Sequence, residues 1–150
     1  MSDLEIRRAT AADLPDIVAM LADDLLGAQR ESPDDLTPYA TAFQRLAQDP
    51  QQHLMVAVRG DTVVGTLQLT VIPGLSRRGS TRSLIEGVRI PAQERGSGLG
   101  TRLIEWAIEE SRRQHCQLVQ LTSDATRTDA HRFYERLGFE ASHLGFKMNL

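Results

Sequence analysis

The sequence feature that most constrains the fold is a run of alternating glycines at a junction between two different patterns. Gly96, Gly98 and Gly100 follow a strand-like apolar run at 81–90 and precede a strongly amphipathic helical pattern. Glycine lets the backbone turn sharply, and the first-turn N–H groups of a helix favour a phosphate or pyrophosphate. The run therefore predicts an anion-binding loop in a fold that combines strands and helices.

Two familiar nucleotide-binding motifs do not match this loop. A P-loop requires a lysine followed by serine or threonine, and the loop contains no lysine. The dinucleotide fingerprint G-x-G-x-x-G follows the first strand of its domain. Here the spacing is G-x-G-x-G, and the loop follows the fourth predicted strand. The spacing therefore disfavours both motifs.

The rest of the chain alternates between strand-like and helical patterns of apolar residues, and it contains no internal repeat. Thr10 and Asp13 resemble a capping box at the start of a first helix, which Gly27 would close. A second helix ends before Pro50, and a final strand or strands should begin at Phe139. The order β-α-α-β-β-β-α-β-α-β predicts a mixed α/β, or α+β, class with a partly antiparallel sheet. We expect one domain over residues 1–150.

Composition limits the classes of function. The 150 residues carry a net charge of -3, without the basic excess of a general nucleic-acid binder. The first 50 residues hold ten acids against four arginines, and the remaining residues have a net charge of +3, which suits an anionic ligand. No apolar run approaches the ~20 residues of a membrane span. A single cysteine and the absence of an apolar signal core lead us to expect a cytoplasmic protein.

Two segments resemble motifs of the GNAT family of N-acetyltransferases. RGSGLG, from Arg95 to Gly100, fits [RQ]-x-x-G-x-[GA], and AHRFYERLGF, from Ala130 to Phe139, fits A-x-x-[FL]-Y-x-x-x-G-[FY]. The resemblance implies the GNAT fold, a largely antiparallel central sheet of six or seven strands flanked by about four helices. It also implies transfer of the acetyl group of acetyl-CoA to a primary amine. Residues 129–134 with Ser142-His143 look closest to aminoalkylphosphonate N-acetyltransferases.

The resemblance assigns acetyl-CoA, as co-substrate, to the fourth strand and the glycine loop. Backbone groups and side chains in these two segments would hold it: Val88, Arg89, Ile90, Arg95, Gly96, Ser97, Gly98, Leu99, Gly100 and Thr101. Asp124 lies where many relatives have an asparagine that touches the cofactor arm. No cluster of His, Cys or carboxylates has metal-ligand spacing, so we expect no metal.

The same resemblance implies two catalytic side chains. Tyr134 occupies the position of the family's tyrosine that donates a proton toward the departing thiolate, and Glu86 is the leading candidate for the base that deprotonates the amine. His131 and His143 are alternative bases because histidine titrates near neutrality. Cys116 is expected to be structural, so the acetyl group would pass directly within a ternary complex.

The acceptor is expected to contact residues 25–39 and 73–82, the parts of the chain with the fewest recognisable motifs. The first segment is acidic and the second basic, which would suit a small zwitterionic amine. Two alternatives remain open: a non-catalytic acyl-CoA-binding sensor or interaction module, and a peptide or protein N-acetyltransferase. We expect no nucleic-acid or membrane partner, and a homodimer is one expected state because family members are often dimers.

Overall fold

A computed structural model describes residues 3–150 of the chain, which form five strands and six helices. In chain order these are β1 (Leu4–Arg8), α1 (Leu14–Ala22), α2 (Leu25–Arg30), α3 (Thr37–Gln48), β2 (Gln52–Arg59), β3 (Thr62–Ile72), α4 (Ser76–Gly79), β4 (Arg82–Arg89), α5 (Leu99–Arg113), β5 (Leu118–Leu121) and α6 (Thr128–Arg136). Short 3-10 turns precede α1 and α5. No helix within residues 3–150 is both long and apolar enough to cross a membrane.

The five strands of the described residues form one sheet in the order β1-β2-β3-β4-β5. The pairs β1–β2, β2–β3 and β3–β4 are antiparallel, which confirms the predicted α+β class. The predicted count of six or seven strands is wrong for these residues. Leu144, Phe146 and Met148 alternate with other residues as a strand would, but residues 139–150 form no strand. The apolar side chains there are exposed, because a strand pattern forms a strand only where a neighbouring strand completes its hydrogen bonds.

One face of the sheet is covered by α5. Leu103 and Ile104 of α5 are fully buried, and so are Leu67 and Leu69 of β3. The hydroxyls of Ser83 and Ser111 lie 2.7 Å apart in this buried layer, and Ser111 also donates to the carbonyl of Ala107. This packing fixes where α5 begins, and therefore where the glycine loop lies.

The opposite face is covered by α1. Ile17 of α1 forms a buried cluster with Val56 and Val58 of β2, and Leu54 packs against the same cluster. The predicted first helix differs from the observed one, because the chain breaks after Ala22 and restarts as α2. Gly27 lies inside α2 and does not close the first helix, because Asp24 begins a new helix by accepting a hydrogen bond from the Gly27 N–H.

The start of α1 depends on a buried carboxylate. Asp13 accepts hydrogen bonds from the Arg7 guanidinium at 2.8 and 3.1 Å, and from the Thr10 N–H at 2.7 Å. The predicted pairing of Thr10 with Asp13 is confirmed, within a 3-10 turn that precedes the helix. The hydrogen bond from Arg7 is the main reason that the pKa of Asp13 lies below its ordinary value, although burial opposes it.

We expect Asp13→Asn to lower the free energy of unfolding by about 2 kcal/mol at pH 7, because a charge-assisted pair is lost. A depressed carboxyl pKa stabilises the fold above the unfolded-state pKa, about 3.9, and this contribution disappears as pH falls through the folded-state pKa. The difference between wild type and variant should therefore shrink below about pH 4. Urea unfolding at pH 7 and at about pH 3 measures it. Asp34→Asn, at an exposed aspartate, is the control and should show little difference at either pH; a constant Asp13 difference would contradict this account.

The chain divides into two compact units. The first ends at Gln120 and contains β1 to β4, α1 to α5 and most of β5. The second runs from Leu121 to Leu150 and contains α6. The predicted cofactor segments and Glu86 belong to the first unit, whereas Asp124 and Tyr134 belong to the second.

Candidate active site

The glycine loop forms an open N-terminus for α5. Gly96 and Gly98 have φ of 82° and 84°, in the left-handed region that favours glycine, and Gly98 is the N-cap residue of α5. No side chain within residues 3–150 makes a capping hydrogen bond at this end of the helix. Apart from the two chain neighbours of each glycine, no atom of the described residues lies within 4 Å of the position a Cβ would take at either one. First-turn N–H groups at an uncovered helix N-terminus fit a phosphate, and the donor set therefore fits the pyrophosphate of acetyl-CoA.

Glu94 connects the glycine loop to strand β2 of the sheet. The Ser97 hydroxyl and N–H both donate to the carbonyl of Glu94, at 2.6 and 3.2 Å. The Glu94 carboxylate pairs with Arg59 at the end of β2, at 3.1 Å. The Ser97 N–H is therefore already engaged, so Gly96, Gly98, Leu99 and Gly100 are stronger candidates among the predicted donors. Arg95 and Ser97 are exposed, and Thr101 is half-buried.

The strand before the loop contains a β-bulge. Gln68 of β3 lies opposite Glu86, whereas Thr66 lies opposite Arg89, so β4 has one more residue than β3 in this interval. Gly87, within the bulge, has φ of 62°. A bulge leaves one residue out of the ladder and redirects its backbone groups. The bulge therefore lies where the sequence predicts that Val88 and its neighbours meet the cofactor; Ile90 lies just beyond the end of β4.

Glu86 projects from the sheet face that carries α1. It lies directly opposite Gln68, which is itself opposite Leu54, a residue packed against the α1 cluster. Residues directly opposite in antiparallel strands share a face. Glu86 is exposed, so its carboxylate can reach a molecule in solution.

In the second unit, Tyr134 is held by aromatic neighbours at the end of α6. Its ring makes edge-to-face contacts with Phe133 and Phe139, with centroids 5.2 and 5.9 Å away. The Tyr134 carbonyl also accepts hydrogen bonds from the N–H groups of Leu137 and Phe139, both at 3.1 Å. Tyr134 is half-buried, and these contacts orient its ring.

The segment after β5 has its own hydrogen-bonded turn. Asp124 accepts from the Thr126 N–H and hydroxyl at 2.9 and 2.6 Å, and these bonds hold the pKa of Asp124 below its ordinary value. The Asp124 carbonyl lies 2.9 Å from Nε2 of His131. The hydroxyl of neighbouring Ser123 is buried without a hydrogen-bond partner among the described residues. Ser123 is not among the site residues predicted from the sequence. Its position just after a strand is the one sequence signal that could have indicated it.

The sequence-based expectations also concern His143, Cys116 and a metal site. Nδ1 of His143 lies 2.6 Å from the Ser142 hydroxyl on the exposed surface. Burial raises the pKa of the Cys116 thiol, which disfavours the thiolate needed for a covalent intermediate. Within residues 3–150, no group of three or more His, Cys, Asp or Glu side chains could hold a metal ion.

The two segments predicted to contact the acceptor adopt different conformations. In the acidic segment, the Glu31 carboxylate accepts a hydrogen bond from Tyr39 at 2.8 Å. In the basic segment, Arg77 and Arg78 are exposed, with φ of 52° and 62° in α4. Consecutive non-glycine residues in this region are strained, which makes α4 an unusual turn.

Comparisons with known proteins identify the family of the chain. The family model described as the acetyltransferase (GNAT) family matches residues 15–139. The aminoalkylphosphonate N-acetyltransferase of Salmonella typhimurium is 32% identical over 142 residues, covering 95% of this chain and 88% of that protein. The glucosamine 6-phosphate N-acetyltransferase of Trypanosoma brucei is 35% identical over 88 residues, covering 59% of this chain and 58% of that protein.

A solved structure from Bacillus halodurans, described as a transcriptional regulator, shares the fold with a TM-score of 0.94. It is 47% identical, and the match covers 98% of this chain and 99% of that one. The family match over most of the chain, together with the named relatives, shows that this protein is an acetyltransferase that belongs to the GNAT family.

Proposed function

We propose that the protein transfers the acetyl group of acetyl-CoA directly to the primary amine of a small molecule. The observation that carries the proposal is the open N-terminus of α5, where Gly98 is the N-cap and no side chain of the described residues makes a capping hydrogen bond. Its first-turn N–H groups and the helix dipole would bind a pyrophosphate, and the bulged strand β4 leads into the same loop. When bound, acetyl-CoA supplies an activated acetyl thioester.

In the proposed reaction, two side chains move protons. The Glu86 carboxylate accepts a proton from the acceptor ammonium and leaves an amine lone pair free to attack. The Tyr134 hydroxyl donates a proton to the departing sulfur, and the second proton that the nitrogen loses on becoming an amide restores the Tyr134 hydroxyl. The raised pKa of the Cys116 thiol supports transfer without an acyl-enzyme, because Cys116 is the only cysteine in the chain. Backbone N–H groups of the bulge at Gly87 and Val88 are candidates to stabilise the oxyanion.

The proposed acceptor is a small amine that also carries an anionic group. The names of two relatives describe acceptors of this kind, an aminoalkylphosphonate and an amino sugar phosphate. The exposed arginines of α4 would favour such a group. A panel of small amines with and without phosphate, phosphonate or carboxylate groups tests this class, with thiol release as the readout. Activity only on peptides would favour the peptide N-acetyltransferase alternative.

A non-catalytic function is the second class to be tested. An acyl-CoA sensor would bind acetyl-CoA but release no thiol with any amine. The Bacillus halodurans neighbour is described as a transcriptional regulator. The net charge of -3 does not favour a nucleic-acid-binding surface in this chain. The exposed carboxylate of Glu86, on the sheet face that carries α1, supports a catalytic function.

We expect Glu86→Gln to lower kcat by about 100-fold, because glutamine has nearly the same shape but accepts no proton. The dissociation constant for acetyl-CoA should change little, since Glu86 is not among the proposed cofactor contacts. Steady-state kinetics and calorimetric binding measure the two effects. Glu105→Gln, on the exposed surface of α5, is the control. Equal activity of the Glu86 and Glu105 variants would remove Glu86 from the proposed mechanism.

A further inference from the structure

A charged pair links β4 to the beginning of α2. Nε of Arg89 lies 3.6 Å from Oδ2 of Asp24, and the Arg89 side chain is only 20% exposed. The Arg89 guanidinium also donates to the carbonyl of Val88 at 2.9 Å. Its Nε is buried without a hydrogen-bond partner among the described residues. A largely buried guanidinium needs a carboxylate close by to compensate for its lost hydration. Asp24 supplies this carboxylate for Arg89.

Asp24 has a second role that couples it to α2. Its Oδ1 accepts a hydrogen bond from the Gly27 N–H at 2.5 Å and so caps the helix. Gly27 is buried, and a Cβ there would lie 2.0 Å from the Leu21 carbonyl oxygen. Because Asp24 accepts this hydrogen bond, a displacement of its carboxylate also displaces the first turn of α2.

The Arg89–Asp24 pair lies on the same face of the sheet as Glu86. Arg89 follows the bulge and lies opposite Thr66, whereas Glu86 precedes the bulge. Thr66 lies opposite Val56, which belongs to the α1 cluster, so Arg89 is on the sheet face that carries α1 and Glu86. Leu25 and Leu26, in the first turn of α2, are 88% and 52% exposed beside Asp24. The pair therefore determines where two exposed apolar side chains lie relative to β4.

We propose that Arg89 and Asp24 are positioning residues that hold the first turn of α2 against the bulge of β4. In this arrangement, α2 directs the acceptor amine toward Glu86. The inference rests on the proposed function, because it assigns α2 to the acceptor side of that site. Neither side chain is assigned to contact with the reacting atoms.

The kinetic test separates charge from helix capping. Asp24→Asn keeps a good N-cap but removes the carboxylate, so it should raise the acceptor KM about tenfold and leave the KM for acetyl-CoA within about twofold. Arg89→Gln should also raise the acceptor KM, and the double variant should be no worse than the more affected single variant. Arg113→Gln is the control, because Arg113 is exposed and pairs with Glu110 at 2.9 Å in the last turn of α5, outside the segments expected to contact the acceptor. Additive effects, or an unchanged acceptor KM in Asp24→Asn, would overturn the proposal.

Hydrogen exchange gives a readout that does not depend on activity. The amides of residues 25–30 should exchange faster in Asp24→Asn and in Arg89→Gln than in wild type or Arg113→Gln. If wild type acetylates no amine, the proposed function fails, but exchange still tests whether the pair holds α2. Unchanged exchange in both variants would overturn the link. Faster exchange with an unchanged acceptor KM would overturn its role in acceptor positioning.

Discussion

Gly98→Glu is expected to weaken acetyl-CoA binding by about 100-fold, the largest effect on binding that the structure predicts. Gly98 has φ of 84°, and a side chain at this φ costs about 1–2 kcal/mol. The strain would be relieved by movement of the loop, which displaces the N–H donors. A carboxylate beside the N-terminus of α5 also repels the pyrophosphate, at a cost of about 1–2 kcal/mol. Together these effects amount to about 3 kcal/mol, or about 100-fold in Kd.

The control places the same residue at another glycine of positive φ. Gly60, in the β2–β3 hairpin, has φ of 62°, so Gly60→Glu introduces a similar strain and the same charge. Calorimetry should find near-normal acetyl-CoA binding in Gly60→Glu and greatly weakened binding in Gly98→Glu. If the Gly98 variant folds and binds as wild type does, the cofactor is not held by the N-terminus of α5.

Tyr134→Phe is expected to reduce kcat by 10²- to 10⁴-fold, the range typical of a lost general acid. Tyr134→Phe keeps the ring contacts with Phe133 and Phe139, so the end of α6 should stay folded. Acetyl-CoA affinity should change little. The loss should therefore appear in kcat with the fold intact, as measured by steady-state kinetics and by circular dichroism.

The chain provides a matched control, because it contains two tyrosines. The Tyr39 hydroxyl donates to Glu31 and accepts from the Ser32 N–H, both at 2.8 Å, so its role is structural. Tyr39→Phe should lower stability by about 1 kcal/mol and leave kcat nearly unchanged. Comparable kcat values for the two variants would show that Tyr134 is not the proton donor.

The glycine loop and α5 could be predicted from sequence because their signals are local. Glycines at alternate positions mark the turn, and Leu99, Leu103 and Ala107 recur at helical spacing on the buried face of α5. The class of fold and the order of the strands along the chain, as far as β5, follow from similarly local patterns. Assignment to the family needed two motifs together, since the loop by itself is compatible with several phosphate-binding folds.

The bulge in β4 was not predicted, although Gly87 inside the strand pattern is a local sign of one. Only the register shows that Thr66 and Gln68 lie two residues apart on β3 while their partners lie three apart on β4. The break between α1 and α2 was missed for a related reason. Gly27 resembled a helix end, and only the approach of α2 to the Leu21 carbonyl shows why a glycine is needed inside the second helix. The Arg89–Asp24 pair joins residues 65 positions apart, beyond the reach of any local pattern.

The central claim is that this chain moves an acetyl group from acetyl-CoA to an amine. Acetyl-CoA labelled in its acetyl carbon, incubated with the protein and the best amine of the panel, tests it most directly. We predict that the label appears in the N-acetyl product in an amount equal to the free thiol released, and that Tyr134→Phe slows both together. Binding of the labelled acetyl-CoA without label in any amine, or release of all the label as acetate, would contradict the claim.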